Sequence, residues 1–299
     1  MRTATARVGA PAADHATSRW SDLSQLIKAR LTFLVLVTTA VGFYLARSPV
    51  DIIGLIHVVV GAGLAAAGAS ALNQWWERDL DALMSRTRER PVPSGRMTPH
   101  YALILGCILS VAGVIYLEVM ANGLAAILAT ATVAIYVFAY TPLKRVTTTN
   151  TLVGAIPGAL PPLIGWAAAR GSLDFGAWTL FTILFIWQMP HFFAIAWMCR
   201  HDYECAGFRM LSRDDESGVR SASQAVLFCM LLLLIGGIPA FIGMAHPIYL
   251  VAELILGGAF TAVAMHFHHV GNMRSARLLF LSSIIYLPLL LGTLVITKT

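Results

Sequence analysis

Apolar residues in this chain come in long runs rather than alternating with polar ones. Nine runs follow one another, at about residues 31–46, 52–72, 101–117, 122–140, 151–169, 175–199, 222–243, 247–267 and 278–297. Each approaches the roughly 20 residues that a helix needs to cross about 30 Å of hydrocarbon. Turn-forming residues punctuate them: Ser48-Pro49, Ala121-Asn122-Gly123, Arg170-Gly171 and His246-Pro247. The pattern predicts an all-α polytopic membrane protein, a bundle of nine transmembrane helices joined by short loops.

Composition narrows the class further. Of 299 residues, 58% are hydrophobic and only 12% charged, and mean hydropathy is +0.73. A soluble domain carries about twice this share of charge, and a disordered chain cannot be this apolar. Residues 1–20 lack the apolar core of a signal peptide. Residues 1–22 are therefore expected to form a disordered cytoplasmic tail, and residues 23–299 a single intramembrane domain. Cys107, Cys199, Cys205 and Cys229 form no CxxC pair, which predicts free, mostly buried thiols.

Charge sets the orientation. Of 21 Lys and Arg, eighteen fall in the N-terminal segment and in the loops after the second, fourth, sixth and eighth runs; only Arg47, Arg170 and Lys298 fall on the opposite side. The positive-inside rule then puts the N-terminus in the cytoplasm and the C-terminus outside. Eleven of the 15 acids share the basic side, which topology does not require. Acids and bases concentrated in two surface loops suit either a solvated face or a site for a metal and a phosphate.

Residues 71–99 read ALNQWWERDLDALMSRTRERPVPSGRMTP. Asn73, Glu77 and Asp81 recur every fourth residue, so a helix presents them on one face over roughly 12 Å, with Asp79 on another. A column of carboxylates repels itself. Mg²⁺, which binds through one or two carboxylates plus substrate phosphates, would relieve that repulsion. Arg86, Arg88 and Arg90 follow, and arginine forks grip phosphate oxygens. Carboxylates and then arginines, just beyond an apolar bundle, suit a diphosphate with a lipid tail.

NxxxExxxD followed by SRTRERP resembles the first signature of the UbiA-type intramembrane prenyltransferases, and most of all their haem branch, the protohaem IX farnesyltransferases. YTPLKRVTTTNTLVGAIPGALPPLIGW, Tyr140 to Trp166, resembles the family's middle signature. WQMPHFFAIAWMCRHDYECAGFRML, Trp187 to Leu211, resembles its late one. Gln74, where quinone-type members usually carry Asp, and the Asp202-Tyr203-Glu204 stretch in place of DxxxD separate the chain from the quinone branch.

The resemblance implies a nine-helix bundle around a central cavity open near the cytoplasmic face, in a bacterial inner membrane. It implies that farnesyl diphosphate, haem b and water give haem O and diphosphate, with Mg²⁺ as cofactor and haem as substrate. It assigns the metal to Glu77, Asp81 and Asp202, and the diphosphate to Arg86, Arg90, Lys144 and Asn150. Catalysis falls to Asn73, Glu77, Asp81 and His191, and haem binding to His191 and Tyr203. Trp75, Phe192 and Tyr140 could stabilise an allylic cation. A haem A synthase or an oxidase-assembly factor would be the handover partner; no nucleic acid is expected. A quinone-type prenyltransferase and a secondary transporter are the alternatives.

Two further features have readings of their own. Pro157, Gly158, Pro161, Pro162 and Gly165 predict a break or a close packing contact in the fifth run. Glu253 lies deep in the eighth, far from the acidic loops, and is expected to be hydrogen-bonded inside the bundle.

Overall fold

The computed structural model describes residues 18–47 and 49–299. Most of the expected tail, residues 1–17, lies outside the described residues. The rest of that segment is not tail: Arg19–Leu26 form a helix, α1, with Asp22 and Leu26 buried.

Nine helices long and apolar enough to cross a membrane follow among the described residues. They are α2 (Ala29–Ala46), α3 (Ile52–Asp81), α4 (Pro99–Met120), α5 (Gly123–Leu143), α6 (Asn150–Arg170) and α7 (Phe175–Met198), then, after the short α8 (Arg200–Cys205), α9 (Val219–Phe241), α10 (Ile248–Val270) and α11 (Met273–Ile296). Two of them are the interior. Two-thirds (67%) of the most apolar stretch of α6 and of α7 is buried, against 39% or less in the others.

Small residues set how closely the helices approach, as they do where lipid removes any hydrophobic drive between helices. A Cβ on Gly68 of α3 would lie 2.3 Å from Ser110 Oγ of α4, and one on Gly113 of α4 2.5 Å from the Ala65 backbone of α3. A Cβ on Gly165 of α6 would lie 1.9 Å from the Thr39 carbonyl oxygen of α2. The fifth run is both broken and closely packed. Its two helical halves, Asn150–Ala159 and Pro161–Arg170, meet at Leu160. Gln188 of α7 donates to the Ala155 carbonyl beside the break at 2.8 Å.

At 30 residues, α3 is about 45 Å long, well beyond the ~30 Å hydrocarbon core. Its last turns, which carry Asn73 to Asp81, therefore project beyond the apolar bundle, toward the loops after α3 and α7. A buried cluster of Met84, Ala196, Ala206, Phe208 and Met210 closes over them.

The thiols differ from expectation. Cys229 is buried, Cys199 half-buried, and Cys107 and Cys205 exposed. An apolar surround of lipid accepts Cys107 on α4 as readily as a core would.

Candidate active site at the end of α3

Asn73, Glu77 and Asp81 do share one face, and all three are buried, with relative exposures of 1%, 3% and 1%. Asp79 points away, with its side chain 82% exposed beside Arg78.

Two cations compensate the column. Lys144 Nζ donates to Glu77 Oε1 at 2.7 Å and to Oε2 at 3.0 Å. Arg90 donates to Asp81 Oδ2 at 2.6 Å. Burial alone would lower the pKa of the Lys144 ammonium, but the adjacent Glu77 carboxylate outweighs it and holds the pKa well above the ordinary lysine value. Two buried carboxylates without these partners would cost several kcal/mol each.

Lys28 is a third cation of the site, and sequence reasoning counted it only as a basic residue of the N-terminal side. It sits between α1 and α2 with φ +48°, a left-handed conformation rare outside glycine. That turn sends its ammonium inward. Nζ donates to Asn73 Oδ1 at 2.7 Å and to Tyr136 Oη at 3.1 Å. With its oxygen taken, Asn73 donates through Nδ2 to Glu77 Oε2 at 3.0 Å and to Thr141 Oγ1 at 3.1 Å. Burial, and then the positive charges of Arg90 and Lys144, lower the Lys28 pKa to about 7 against the pull of Glu77 and Asp81.

The far wall is irregular helix. Ile135–Tyr140 of α5 form a π-helical stretch, a distortion found frequently at functional sites. It brings the Tyr136 and Tyr140 rings to 5.7 Å, and the Lys144 ammonium lies 4.6 Å from the Tyr140 ring. Gln74 faces the other way, donating to the Gln25 and Leu26 carbonyls at 2.7 and 3.0 Å, and so docks α1 on α3.

The other expected residues are placed as follows. Asp202 is joined to the arginine loop rather than to the column: Ser85 donates to it from its hydroxyl at 2.8 Å and from its backbone N–H at 3.2 Å. These bonds outweigh its slight burial and lower its pKa. No group of three or more His, Cys, Asp or Glu suited to a metal exists among the described residues. Arg86 is exposed, its guanidinium 5.9 Å from the Tyr203 ring. Asn150 is buried and donates to the Thr147 and Arg209 carbonyls at 2.6 and 2.7 Å, which spends its amide on tying two loops together. Trp75 packs with Leu26, Ala71 and Val92, away from the column.

Tyr140 and Phe192, with Asn150, Tyr203 and Met210, line a pocket of about 40 Å³ beneath the loops. A second pocket, about 210 Å³ and almost wholly apolar, opens between α2 and α11 and is lined by Leu34, Val37, Val41, Leu287, Leu291 and Val295.

His191 lies two turns before the C-terminal end of α7, half-buried. Its ring stacks on Trp187 at 5.6 Å and lies tilted against Phe280 at 4.9 Å. Its Nδ1 is 2.7 Å from Ser283 Oγ of α11. The adjacent Phe192 links it to the Tyr140–Tyr203 pocket.

Glu253 is fully buried, at 0% exposure. The expected internal hydrogen bond is absent: neither carboxylate oxygen has a partner among the described residues. Gly236 and Gly257 put backbone against it where a donor side chain would be needed.

The sequence model of the UbiA prenyltransferase family matches residues 35–286. The chain is 41% identical, over 287 residues, to a protoheme IX farnesyltransferase of Solibacter usitatus, covering 93% of this chain and 98% of that one. Among solved structures, it resembles one of a study of digeranylgeranylglyceryl phosphate synthase, with TM-score 0.78, 15% identity and coverage of 93% and 98% of the two chains. It also resembles a UbiA homologue from Archaeoglobus fulgidus bound to DMAPP and Mg²⁺, with TM-score 0.67, 12% identity and coverage of 91% and 99%.

Proposed function

Because the chain belongs to the UbiA prenyltransferase family, we propose that it transfers the farnesyl group of farnesyl diphosphate to a vinyl group of haem b, with addition of water, giving haem O and diphosphate. The observation that carries the site assignment is the buried column of Asn73, Glu77 and Asp81, its carboxylates compensated by Arg90 and Lys144 and its amide held by Lys28 at the end of α3. The relative of known name supports the choice of haem as acceptor.

The residues fit Mg²⁺. Asp81 Oδ1 is buried without a partner among the described residues, and Glu77 and Asp81 supply the oxygen donors that a hard cation takes. These two would hold it, with Asp202 brought up by its loop. When bound, the ion would supply positive charge against the diphosphate oxygens.

The chain's own groups do the rest. Lys144 and Arg90, now paired with carboxylates, supply N–H donors to the leaving diphosphate as the farnesyl C–O bond breaks. Lys28 holds the Asn73 amide in one orientation. Tyr140 and Phe192 offer π faces to the allylic cation, and the closed loops keep water from it until coupling. Farnesyl C1 bonds to the vinyl carbon, and water captures the cation left beside the ring, losing a proton. His191, with Tyr203, takes the haem side.

We place the loops of residues 73–100 and 200–221 in the cytoplasm of a bacterial inner membrane and the C-terminus outside. The test is direct. Membranes containing the protein receive labelled farnesyl diphosphate and haem b, and the pigments are separated by chromatography. Labelled haem O is the expected product; labelled quinone would select the quinone branch, and uptake with no new product a transporter.

A further inference from the structure

Ser283 of α11 contacts α7 twice. Its carbonyl accepts from Trp187 Nε1 at 2.9 Å, and its hydroxyl oxygen lies 2.7 Å from His191 Nδ1. The same hydroxyl is 2.6 Å from the Phe280 carbonyl one turn earlier on its own helix. Two oxygens approach that closely only with a proton between them, and a carbonyl has none to give. Ser283 therefore spends its one O–H on Phe280, a common arrangement for serine in a membrane helix. Toward His191 it can only accept, so the proton between them belongs to Nδ1. A neutral imidazole with hydrogen on Nδ1 carries its lone pair on Nε2.

Nε2 is the free end of this ring. It makes no hydrogen bond among the described residues, and His191 is only half-buried. The Trp187 ring stacks on the imidazole and the Phe280 ring lies tilted beside it, so the tautomer is set by the hydrogen bond at Nδ1 rather than by the ring of Phe280. Ser283 itself is fully buried, so water does not compete for its hydroxyl.

We propose that Ser283 is a positioning residue that locks His191 in the Nδ1–H tautomer and aims the Nε2 lone pair at the iron of a haem substrate, through the relay Phe280 carbonyl, Ser283 hydroxyl, His191 Nδ1. This rests on the haem reading above and adds a ligand atom and a tautomer to it. A hydrogen bond to the second nitrogen orients and strengthens an imidazole ligand, and losing such a partner typically costs about 10- to 100-fold in affinity or activity.

The experiment titrates ferric haem b into the full-length purified protein and into Ser283→Ala, Ser283→Thr, His191→Ala and Phe280→Leu. It records the Soret and visible bands and, separately, haem O formation. Wild type should show the spectrum of imidazole-ligated haem. His191→Ala should lose it and regain it with added imidazole. Ser283→Ala should bind haem about tenfold more weakly with a shifted spectrum, while Ser283→Thr, which keeps the hydroxyl relay, should restore both. Phe280→Leu keeps the carbonyl and removes the ring, so it should leave the ligation spectrum intact. The proposal is overturned if Ser283→Ala matches wild type in spectrum and affinity, or if Ser283→Thr fails to rescue although its melting temperature equals that of the wild type. Haem O formed by wild type alongside either result would leave the proposed reaction standing; no haem O from wild type would remove the reaction itself.

Discussion

Arg90 donates to Asp81 Oδ2 at 2.6 Å, while Oδ1 of the same carboxylate is buried with no partner among the described residues. One oxygen is neutralised and the other is left for a ligand. Asp81→Asn should therefore lower turnover by about 100-fold or more, since metal stabilisation of a leaving group is worth several kcal/mol. Mg²⁺ should raise the melting temperature of the wild-type protein, and Asp81→Asn should abolish that rise. A variant that still responds to Mg²⁺ would remove Asp81 from the ligand set.

Glu77→Gln and Asp79→Asn form a matched pair on one helix. Glu77 holds Lys144 within a buried pair, whereas Asp79 is solvated. Glu77→Gln should cost several kcal/mol of stability, because removing one partner leaves the Lys144 charge buried and uncompensated. Asp79→Asn should stay within about 0.5 kcal/mol in melting experiments. Equal effects would contradict the shared-face geometry.

The depressed Lys28 gives a pH signature. A lysine whose folded pKa is about 7 binds fewer protons folded than unfolded between pH 7 and the ordinary lysine range. The unfolded chain's excess protons make folding more favourable as pH rises through that window. Relative to Lys28→Met, and without divalent cations, the wild-type protein should thus gain stability from about pH 7 upward to about pH 10.5, and show a constant deficit below pH 7. A difference that is flat with pH would show Lys28 to be solvated.

Gly165→Ala should be severely destabilising. Its Cβ would fall 1.9 Å from the Thr39 carbonyl, which backbone cannot yield cheaply, so a loss of about 3 kcal/mol or more is expected. Gly258→Ala, where a Cβ meets nothing within 4 Å, is the control and should be neutral. Melting curves in one detergent compare them.

Glu253→Leu should raise stability by about 1–3 kcal/mol, the cost of a buried polar group without a hydrogen bond, and leave haem O formation unchanged. A loss of activity would assign the carboxyl a role in the reaction.

The sequence alone determined the number and position of the spans, because an unbroken apolar run of about 20 residues satisfies its backbone in hydrocarbon as a helix, whereas barrel strands are about half that length. It also determined the shared face of Asn73, Glu77 and Asp81, because a four-residue repeat on a helix is a fixed geometry. What joins distant segments was invisible to it. Lys28 reaches Asn73 across 45 positions only because a left-handed turn redirects its side chain. Ser283 meets His191 across 92 positions only because α7 and α11 pack side by side, and Asp202 is bound to Ser85 rather than to the column. Asn150, expected at the diphosphate, instead ties two loops, and Glu253 finds no hydrogen-bond partner among the described residues. Such pairings depend on which helix faces meet and at what depth, which tertiary packing decides through small residues and side-chain volumes that periodicity does not encode.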